Sequence, residues 1–459
     1  MIYGLNFVII NVIMGLRIFL SIVFSIIYFI MVSVMILFER KKPRVVLIWI
    51  AVFLLTQFLG YIAYLVIRCI VVKKKNSLLI KDKEDEIYSK LVSKHLKDYN
   101  TETNEGVFAF NQMVYGATTT ENNSVEMFNN FNKFKDNLIK EIKGATNYVF
   151  MELKQFDIAD FEDIKTILIN KAKDDLVIRI TFDCHIPKKL KKELKEVGIK
   201  VNNFSKLKSV YSSYSNLRSI ISIDGKVVYI GDFLSPKAKS KKEKIDYLNN
   251  YIKLKGEAVQ NIDLTLRQDL TFSSGKHIQY NKIISEPIED KATIQYVANN
   301  SNLDLEFLLI KAICTAKKSI QVQVNGFVPT DSIISLLKYV ANSHLELRVM
   351  IPIKDYRQSR KFASRAFAKE LALLGANVYL YDGYINYNSV VIDDEYAILG
   401  SYSMNRNLLN FTLQSMLLIK DEKVIAACNK AFDDGVKNSY RVSNAKYMLI
   451  REKLFKSLY

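Results

Sequence analysis

Residues 221–231 read Ile-Ser-Ile-Asp-Gly-Lys-Val-Val-Tyr-Ile-Gly, and residues 390–400 read Val-Val-Ile-Asp-Asp-Glu-Tyr-Ala-Ile-Leu-Gly. Each stretch places β-rich residues on both sides of an Asp-Gly or Asp-Asp turn, a pattern that predicts a β-hairpin. Asp224 and Asp393, one in each turn, are 169 residues apart. The two stretches therefore predict the same hairpin in two similar halves of the chain.

Further segments repeat in the same order. In each half a helix end precedes a strand, a second strand follows, and a later helix ends at glycine before a third strand. The matching pairs are residues 145–152 with 316–323, 176–183 with 345–352, and 194–201 with 371–378. Because short strands alternate with helical segments, the pattern predicts an α/β fold with two pseudo-symmetric domains, residues 106–275 and 276–459.

Composition limits the class of protein. The chain has 459 residues, of which 49% are apolar and 24% charged, and this balance excludes a disordered chain. The cysteines are far apart in sequence, so we expect isolated buried thiols in a reducing compartment, with neither a disulfide framework nor a metal site. They are Cys69, Cys184, Cys314 and Cys428. No cofactor is expected. The net charge of +18 suits a nucleic acid or an anionic membrane surface.

The first 75 residues predict a two-helix transmembrane hairpin. Residues Phe19 to Phe38 and residues Val45 to Ile67 carry no charged side chain, and each stretch is long enough to cross a bilayer as a helix. A helix buried in a soluble protein is the alternative. Residues 76–105 are polar and predict a linker. Lysines beyond the second stretch favour a multi-pass protein of the cell membrane with a cytoplasmic body.

The duplicated α/β pattern resembles the phospholipase D superfamily, and the apolar N-terminal segment narrows the resemblance to bacterial cardiolipin synthases. The similar stretches are residues 37–49, 60–65, 253–259, 325–329, 400–406 and 409–411. The resemblance implies a transmembrane hairpin followed by two phospholipase D-like α/β domains. It also implies phosphatidyl transfer, in which cardiolipin is made from phosphatidylglycerol.

The resemblance implies a His-x-Lys-x4-Asp motif in each half. One histidine would attack phosphorus and become a phosphohistidine. The other would protonate the leaving alkoxide and later deprotonate the acceptor alcohol. The lysines would bind the non-bridging oxygens, and the aspartates would orient the site.

Both motifs are degenerate in this chain. Counting back from the two aspartates gives a residue for each histidine position and each lysine position. In that order the motifs are Leu217, Ser219, Asp224 and Asn386, Asn388, Asp393. Leu217 has no lone pair, and the amide of Asn386 cannot shuttle a proton near neutral pH. The sequence therefore predicts that the family mechanism is absent.

A shifted alignment does not restore the motifs. The chain has four histidines, His95, His185, His277 and His344. His185 follows one predicted strand and His344 precedes another, so we expect both in loops away from the site. Ser219, Ser222 and Cys184 are of nucleophilic type, but no base stands at a fixed spacing from them.

Basic runs indicate an anionic partner. Lysines of a predicted helix and of the loop after the first degenerate motif are candidate lipid or phosphate contacts. They are Lys188, Lys189, Lys191 and Lys192, then Lys237, Lys239, Lys241 and Lys242. A solvated helix face is the alternative for the first group. Nucleic acid is disfavoured because aromatic residues do not alternate with these lysines.

The sequence leaves three hypotheses open. The first is a membrane-anchored pseudoenzyme that binds phosphatidylglycerol or cardiolipin, or that scaffolds or regulates an active cardiolipin synthase. The second is a divergent phosphatidyltransferase or phosphodiesterase with a replacement nucleophile. The third, a nuclease or nucleic-acid-binding protein, requires a binding affinity that depends steeply on salt.

Overall fold

The structure is a computed structural model. It describes residues 2–39, 43–56, 59–69, 106–154, 156–204, 215–232, 246–278, 288–299, 305–355, 357–405, 412–442 and 449–458. The predicted linker, the second basic run (residues 237–244) and residues 409–411 lie outside the described residues. The chain divides into two compact units, Met1–Ile80 and Lys81–Tyr459.

The N-terminal unit contains three apolar helices, α1 (Ile2–Glu39), α2 (Pro43–Thr56) and α3 (Leu59–Cys69). Within α1, Met14–Ile36 is a 23-residue segment with a hydropathy of 2.6, and it is the only described helix long enough to cross a membrane. The predicted second span is described in two parts, α2 and the shorter α3, and residues 57–58 between them lie outside the described residues. All three helices contribute to one apolar cluster, centred on Met35, Phe53 and Tyr64.

The larger unit alternates strands and helices. Its described helices are α4 (Gly106–Tyr115), α5 (Phe131–Gly144), α6 (Ile158–Lys173), α7 (Lys188–Glu196), α8 (Ala258–Ser274), α9 (Glu306–Thr315), α10 (Asp331–Ala341), α11 (Gln358–Leu373), α12 (Glu422–Lys437) and α13 (Ile450–Leu458). Its described strands are β1 (Thr119–Thr120), β2 (Asn123–Phe128), β3 (Tyr148–Leu153), β4 (Val177–Phe182), β5 (Lys200–Asn203), β6 (Ser215–Asn216), β7 (Ile220–Ile223), β8 (Val227–Ile230), β9 (Asp246–Leu248), β10 (Tyr251–Gly256), β11 (Thr293–Ala298), β12 (Ser319–Gln323), β13 (Glu346–Pro352), β14 (Asn377–Tyr381), β15 (Gly383–Ile385), β16 (Asn388–Ile392), β17 (Tyr396–Gly400), β18 (Thr412–Leu413), β19 (Ser415–Lys420) and β20 (Ser439–Arg441).

These strands form two large mixed sheets. The first has the order β2-β10-β8-β7-β3-β4-β5, and the second has the order β1-β11-β19-β17-β16-β12-β13-β14-β20. In the first sheet four antiparallel pairings lead to the parallel trio β3-β4-β5. In the second sheet five antiparallel pairings lead to the parallel trio β12-β13-β14, beyond which β20 pairs antiparallel with β14. The predicted hairpins are present as β7–β8 and β16–β17.

Three apolar cores organise the unit. One lies between the first sheet and the helices α5, α6 and α7. A second lies between the other sheet and the helices α4, α9, α10 and α11. The third contains residues of both sheets together with α8 and α12, so these two helices pack between the sheets. Because the two halves share this central core, strand ends of both sheets lie close together and can line one common site.

Candidate functional site

The segment before each motif is paired with a strand of the opposite half. The strand β6, just before Leu217, runs parallel to β18, and β15, just before Asn386, runs parallel to β9. The backbone N–H of Leu217 donates to the carbonyl of Leu413 at 2.8 Å. The backbone N–H of Asn386 donates to the carbonyl of Leu248 at 3.0 Å. Both histidine positions are thus fixed by equivalent hydrogen bonds across the two halves.

A cavity of about 630 Å³ opens beside these segments. Leu217, Asn386 and Asn388 lie on its wall, so three of the four substituted motif positions meet at one site. The cavity wall also includes charged, polar and aromatic side chains. They are Lys154, Asp183, Cys184, His185, Asp232, Asn250, Asn325, Lys354, Asp355, Arg357, Arg360, Tyr384, Tyr387, Tyr402 and Ser403. Ser219 is buried and is not part of the wall.

The two histidine positions contain no nucleophile and no base. Leu217 is a buried apolar side chain. The amide Nδ2 of Asn386 donates to Oδ1 of Asn249 at 2.8 Å, so this side chain is already hydrogen-bonded. Transfer of a phosphoryl group through a covalent intermediate needs a nucleophile and a proton carrier at these positions. The observed pair supplies neither.

The residues at the two lysine positions, Ser219 and Asn388, form hydrogen bonds to other segments of the chain. Oγ of Ser219 accepts a hydrogen bond from the backbone N–H of Lys154 at 3.3 Å and donates to Oδ1 of Asp232 at 2.8 Å. Oδ1 of Asn388 accepts from the backbone N–H of Asn325 at 2.7 Å. Each substituted residue therefore ties the motif strand to the chain that leaves the neighbouring strand, β3 or β12.

The retained aspartates lie away from the cavity, at the turns of the two hairpins. The carboxylate of Asp224 accepts backbone N–H bonds from Thr146, Asn147 and Tyr148, each at 2.8 Å. The carboxylate of Asp393 accepts the equivalent bonds from residues 317–319 at 2.6 to 2.8 Å. Both aspartates have a positive φ, 53° and 56°, which Asp tolerates better than most residues. They support the starts of β3 and β12 and do not touch the cavity.

Arg218, between the two substituted positions of the first motif, joins the halves. Its guanidinium pairs with Asp269 of α8 at 2.5 Å, with side-chain exposures of 3% and 1%. It also donates to the carbonyl of Asn299 at 2.7 Å and to that of Gln414 at 3.1 Å, both in the second half. Burial opposes its charge, but Asp269 outweighs burial, so the pKa of Arg218 is raised.

Four cationic side chains lie on the cavity wall, and two of them are neutralised there. Nζ of Lys154 pairs with Asp232 at 3.0 Å, and Arg360 binds Asp355 through two bonds of 2.5 and 2.8 Å. Within the described residues, the side chains of Lys354 and Arg357 form no ion pair. The cavity wall thus carries cationic side chains outside the two motif lysine positions, which are occupied by Ser219 and Asn388.

Unpartnered polar atoms of described residues also line the cavity. They are Nδ2 of Asn250, Oδ1 of Asn325, the hydroxyl of Tyr402 and Oγ of Ser403. Burial raises the pKa of Tyr387 and of Tyr402, so both phenols stay protonated and can act as donors. A polar ligand in this cavity would find several donors and acceptors that are not yet used.

Two expectations from the sequence need correction. His185 was expected in a loop away from the site, yet this exposed residue lies on the cavity wall with Cys184. The reason is that β4 is parallel to β3, and the carboxyl ends of parallel strands meet at one edge of a sheet. The cysteines were expected to be buried, but only Cys428 is, while Cys69 and Cys314 are exposed. His344 is an exposed residue outside the cavity wall, as predicted.

The first basic run lies on α7, which begins three residues after His185. Lys188, Lys189 and Lys192 are exposed, and Lys192 pairs weakly with Glu196 at 3.7 Å. Lys191 is half-buried. Among the described residues, no group of His, Cys, Asp and Glu side chains could hold a metal ion.

Sequence reasoning missed most of the polar wall. Lys354 and Arg357 follow β13, and Lys154 follows β3, so their positions after parallel strands were the available signal. These three residues belong to no motif of fixed spacing, so position after a strand alone does not distinguish them from other loop residues. Tyr384 and Tyr402 carried no sequence signal, since nothing in the pattern distinguishes them from core aromatics.

Comparisons with known proteins identify a family model and relatives that this chain resembles. A family model described as "Cardiolipin synthase, PLD-like domain" matches residues 309–435. The chain is 27% identical over 441 residues to cardiolipin synthase 1 of Staphylococcus epidermidis, with 89% of each chain covered. It is 23% identical over 452 residues to the probable cardiolipin synthase YwiE of Bacillus subtilis, covering 94% of this chain and 88% of that protein.

A solved structure supports the fold alone. The crystal structure of phosphatidylserine synthase from Haemophilus influenzae matches with a TM-score of 0.56 at 10% identity, over 73% of this chain and 92% of that chain. The chain is thus similar over most of its length to bacterial cardiolipin synthases, and residues 309–435 match their phospholipase D-like domain. The two degenerate motifs are its departure from the family pattern.

Proposed function

We propose that this chain is a membrane-anchored, non-catalytic relative of the cardiolipin synthases that binds anionic phospholipid in its cavity. The observation that carries the proposal is the cavity wall itself, where Leu217 and Asn386 replace the nucleophile and the proton carrier. Phosphatidylglycerol and cardiolipin are the proposed ligands. In this role the protein would scaffold or regulate an active cardiolipin synthase.

The test is restoration of the motifs. We expect the purified native chain to make no cardiolipin from phosphatidylglycerol, while a variant with Leu217→His, Ser219→Lys, Asn386→His and Asn388→Lys gains that activity. A control with only Ser219→Lys and Asn388→Lys adds the cations without a nucleophile and should stay inactive. Cardiolipin formed by the native chain, free of any other synthase, would overturn the proposal.

One observation favours a second candidate, a divergent phosphatidyltransferase. His185 lies on the cavity wall, and its imidazole has no hydrogen-bond partner among the described residues. In this mechanism His185 would attack the phosphorus of phosphatidylglycerol and release glycerol. Mass spectrometry should then find an acid-labile phosphatidyl adduct on His185, absent in His185→Ala and present in His344→Ala. A lack of both adduct and turnover would exclude this candidate.

We also propose that residues 1–75 form a two-helix membrane hairpin and that the body is cytoplasmic. The 23-residue apolar segment of α1 and the shared cluster of Met35, Phe53 and Tyr64 support this arrangement. Cys314 is exposed on the body and provides a test. A membrane-impermeant thiol reagent should fail to label Cys314 in intact cells and should label it after the membrane is opened.

The body itself is proposed to consist of two pseudo-symmetric domains, residues 106–275 and 276–459. The support is the common strand order of the two sheets and the equivalent hydrogen bonds of Leu217 and Asn386. This division predicts that neither domain is stable alone, because α8 and α12 share one core with both sheets.

A further inference from the structure

One face of α11 carries a row of positive charge, of which only the last member, Lys369, has an ion pair among the described residues. Arg357 immediately precedes the helix, and Lys361, Arg365 and Lys369 follow at intervals of four residues. Residues spaced by four lie on the same face of a helix, and like charges at this spacing destabilise it. Of the four cations, Lys369 has a carboxylate partner, Glu452, at 2.8 Å. Within the described residues, Arg357 and Lys361 have none.

The nearby carboxylates are already engaged. Asp355 binds Arg360 through two bonds, and Glu370 pairs with Lys338 at 2.8 Å and also with Lys456. Glu452 is 2% exposed and binds Lys369 through both oxygens. Asp355 and Glu452 act electrostatically on Lys361 and Arg365, but both carboxylates are already bound to other cations. Among the described residues, no carboxylate forms an ion pair with Arg357, Lys361 or Arg365.

Two of these cations are also partly removed from water. Burial lowers the pKa of Lys361, and the neighbouring Arg365 lowers it further against the opposing effect of Asp355. Burial also lowers the pKa of Arg365, whose Nε is buried without a partner. The free chain thus bears the cost of like charges that are close together and poorly solvated, and a bound anion would offset that cost.

The row begins at the cavity. Lys354, Arg357 and Arg360 line the wall, and Lys354 is also without an ion pair in the described part of the chain. Gly326 lies against Arg360, where an added Cβ would stand 3.1 Å from Cδ of the arginine. Asn325, the residue before it, binds the second lysine position, Asn388. Arg360, itself paired with Asp355, thus lies beside the segment that binds the second lysine position, and Lys354 and Arg357 lie on the same cavity wall.

We propose that Lys354, Arg357 and Lys361 form a phosphate-binding site at the mouth of the cavity, replacing the lost motif lysines. The ligand class is a phosphodiester or phosphomonoester group, carried by a lipid headgroup or present as free phosphate. This assignment rests on the proposed lipid-binding function and adds the residues that recognise the phosphate. Arg365 reinforces the site from the next turn of α11.

The test compares the full-length chain in neutral detergent with a Lys354→Gln, Arg357→Gln, Lys361→Gln variant. A Lys133→Gln, Lys140→Gln, Lys143→Gln variant is the matched control, because these exposed lysines of α5 have no ion pair among the described residues and lie outside the cavity wall. Native mass spectrometry measures the binding of phosphatidylglycerol, phosphatidylcholine and inorganic phosphate. We expect the first variant to lose affinity for phosphatidylglycerol at least tenfold and the control to lose less than twofold.

The three ligands and two variants distinguish a failure of the phosphate-binding site from a failure of the proposed lipid-binding function. Native binding of phosphatidylglycerol that survives the α11 substitutions overturns this site and leaves the proposed function standing. If the native chain binds inorganic phosphate and shows no preference for phosphatidylglycerol, the phosphate-binding site is supported with free phosphate as its ligand. That result counts against the proposed lipid-binding function. No binding of any probe overturns both. Because the substitutions remove like-charge pairs, the melting temperature of the variant should not fall, which shows that lost binding is not lost folding.

Discussion

Replacing Arg218 by methionine tests whether the first motif segment depends on a buried ion pair. The guanidinium and the Asp269 carboxylate are 3% and 1% exposed, and their closest atoms are 2.5 Å apart. Removing one partner of such a pair leaves the other charge buried alone, which costs about 3–5 kcal/mol. Each neutral carbonyl that loses its donor, at Asn299 and Gln414, adds about 1 kcal/mol. We therefore expect Arg218→Met to lower the free energy of unfolding by about 5–7 kcal/mol.

The measurement is urea unfolding of the full-length chain in neutral detergent, followed by circular dichroism. The matched control is Arg348→Met, which removes an arginine–aspartate pair of the second half. There the side chains of Arg348 and Asp433 are 25% and 57% exposed, so the lost ion pair should cost about 1 kcal/mol or less. The double variant Arg218→Met, Asp269→Leu should recover part of the loss, because apolar pairs often replace buried ion pairs at little cost. Equal losses for Arg218→Met and Arg348→Met would refute the reasoning.

Further predictions concern other groups of the fold. Asp393→Asn keeps the left-handed backbone but removes the charge that three backbone N–H groups bind, so we expect a loss of about 2–4 kcal/mol by the same unfolding assay; a loss below 1 kcal/mol would contradict it. Glu141 pairs with Lys253 at 2.8 Å; burial acts to raise the pKa of Glu141, but Lys253 and Lys255 outweigh burial and lower it below its ordinary 4.5. Its stabilising effect is therefore present above the unfolded pKa and lost as pH falls through the lower folded pKa. Glu141→Gln should flatten the acid limb of the stability profile below about pH 5 relative to an exposed control, Glu121→Gln, and an unchanged limb would count against it.

The hairpins could be predicted from sequence because their determinants are local. A short run of β-rich residues around Asp224 or Asp393 specifies two strands and a turn without help from the rest of the chain. The repeat then predicted an α/β body, and the two sheets have matching strand orders. The second membrane stretch has enough apolar residues for one span. Its described part consists of α2 and α3, and residues 57–58 between them lie outside the described residues.

The site was harder to predict because its polar wall is assembled from distant segments. Lys154, His185 and Lys354 lie far apart in sequence and meet only because parallel strands end at the same edge of each sheet. A motif search finds residues at a fixed spacing in sequence, and Lys154, His185 and Lys354 do not belong to such a motif. The pairing of Lys154 with Asp232 and of Arg360 with Asp355 likewise depends on the folded chain. The sequence therefore identified the substituted motif positions but did not identify the cations on the cavity wall.

The motif residues divide by what their side chains do. Asp224 and Asp393 each bind three backbone N–H groups at the start of a strand, so replacing either would destabilise its sheet. The histidine positions differ, because their backbone N–H groups make the bonds across the halves and their side chains face the cavity. Any residue with an N–H can make those bonds, so Leu217 and Asn386 leave the backbone in place. Restoring histidines at these two positions therefore tests directly whether the backbone geometry is independent of the side chains.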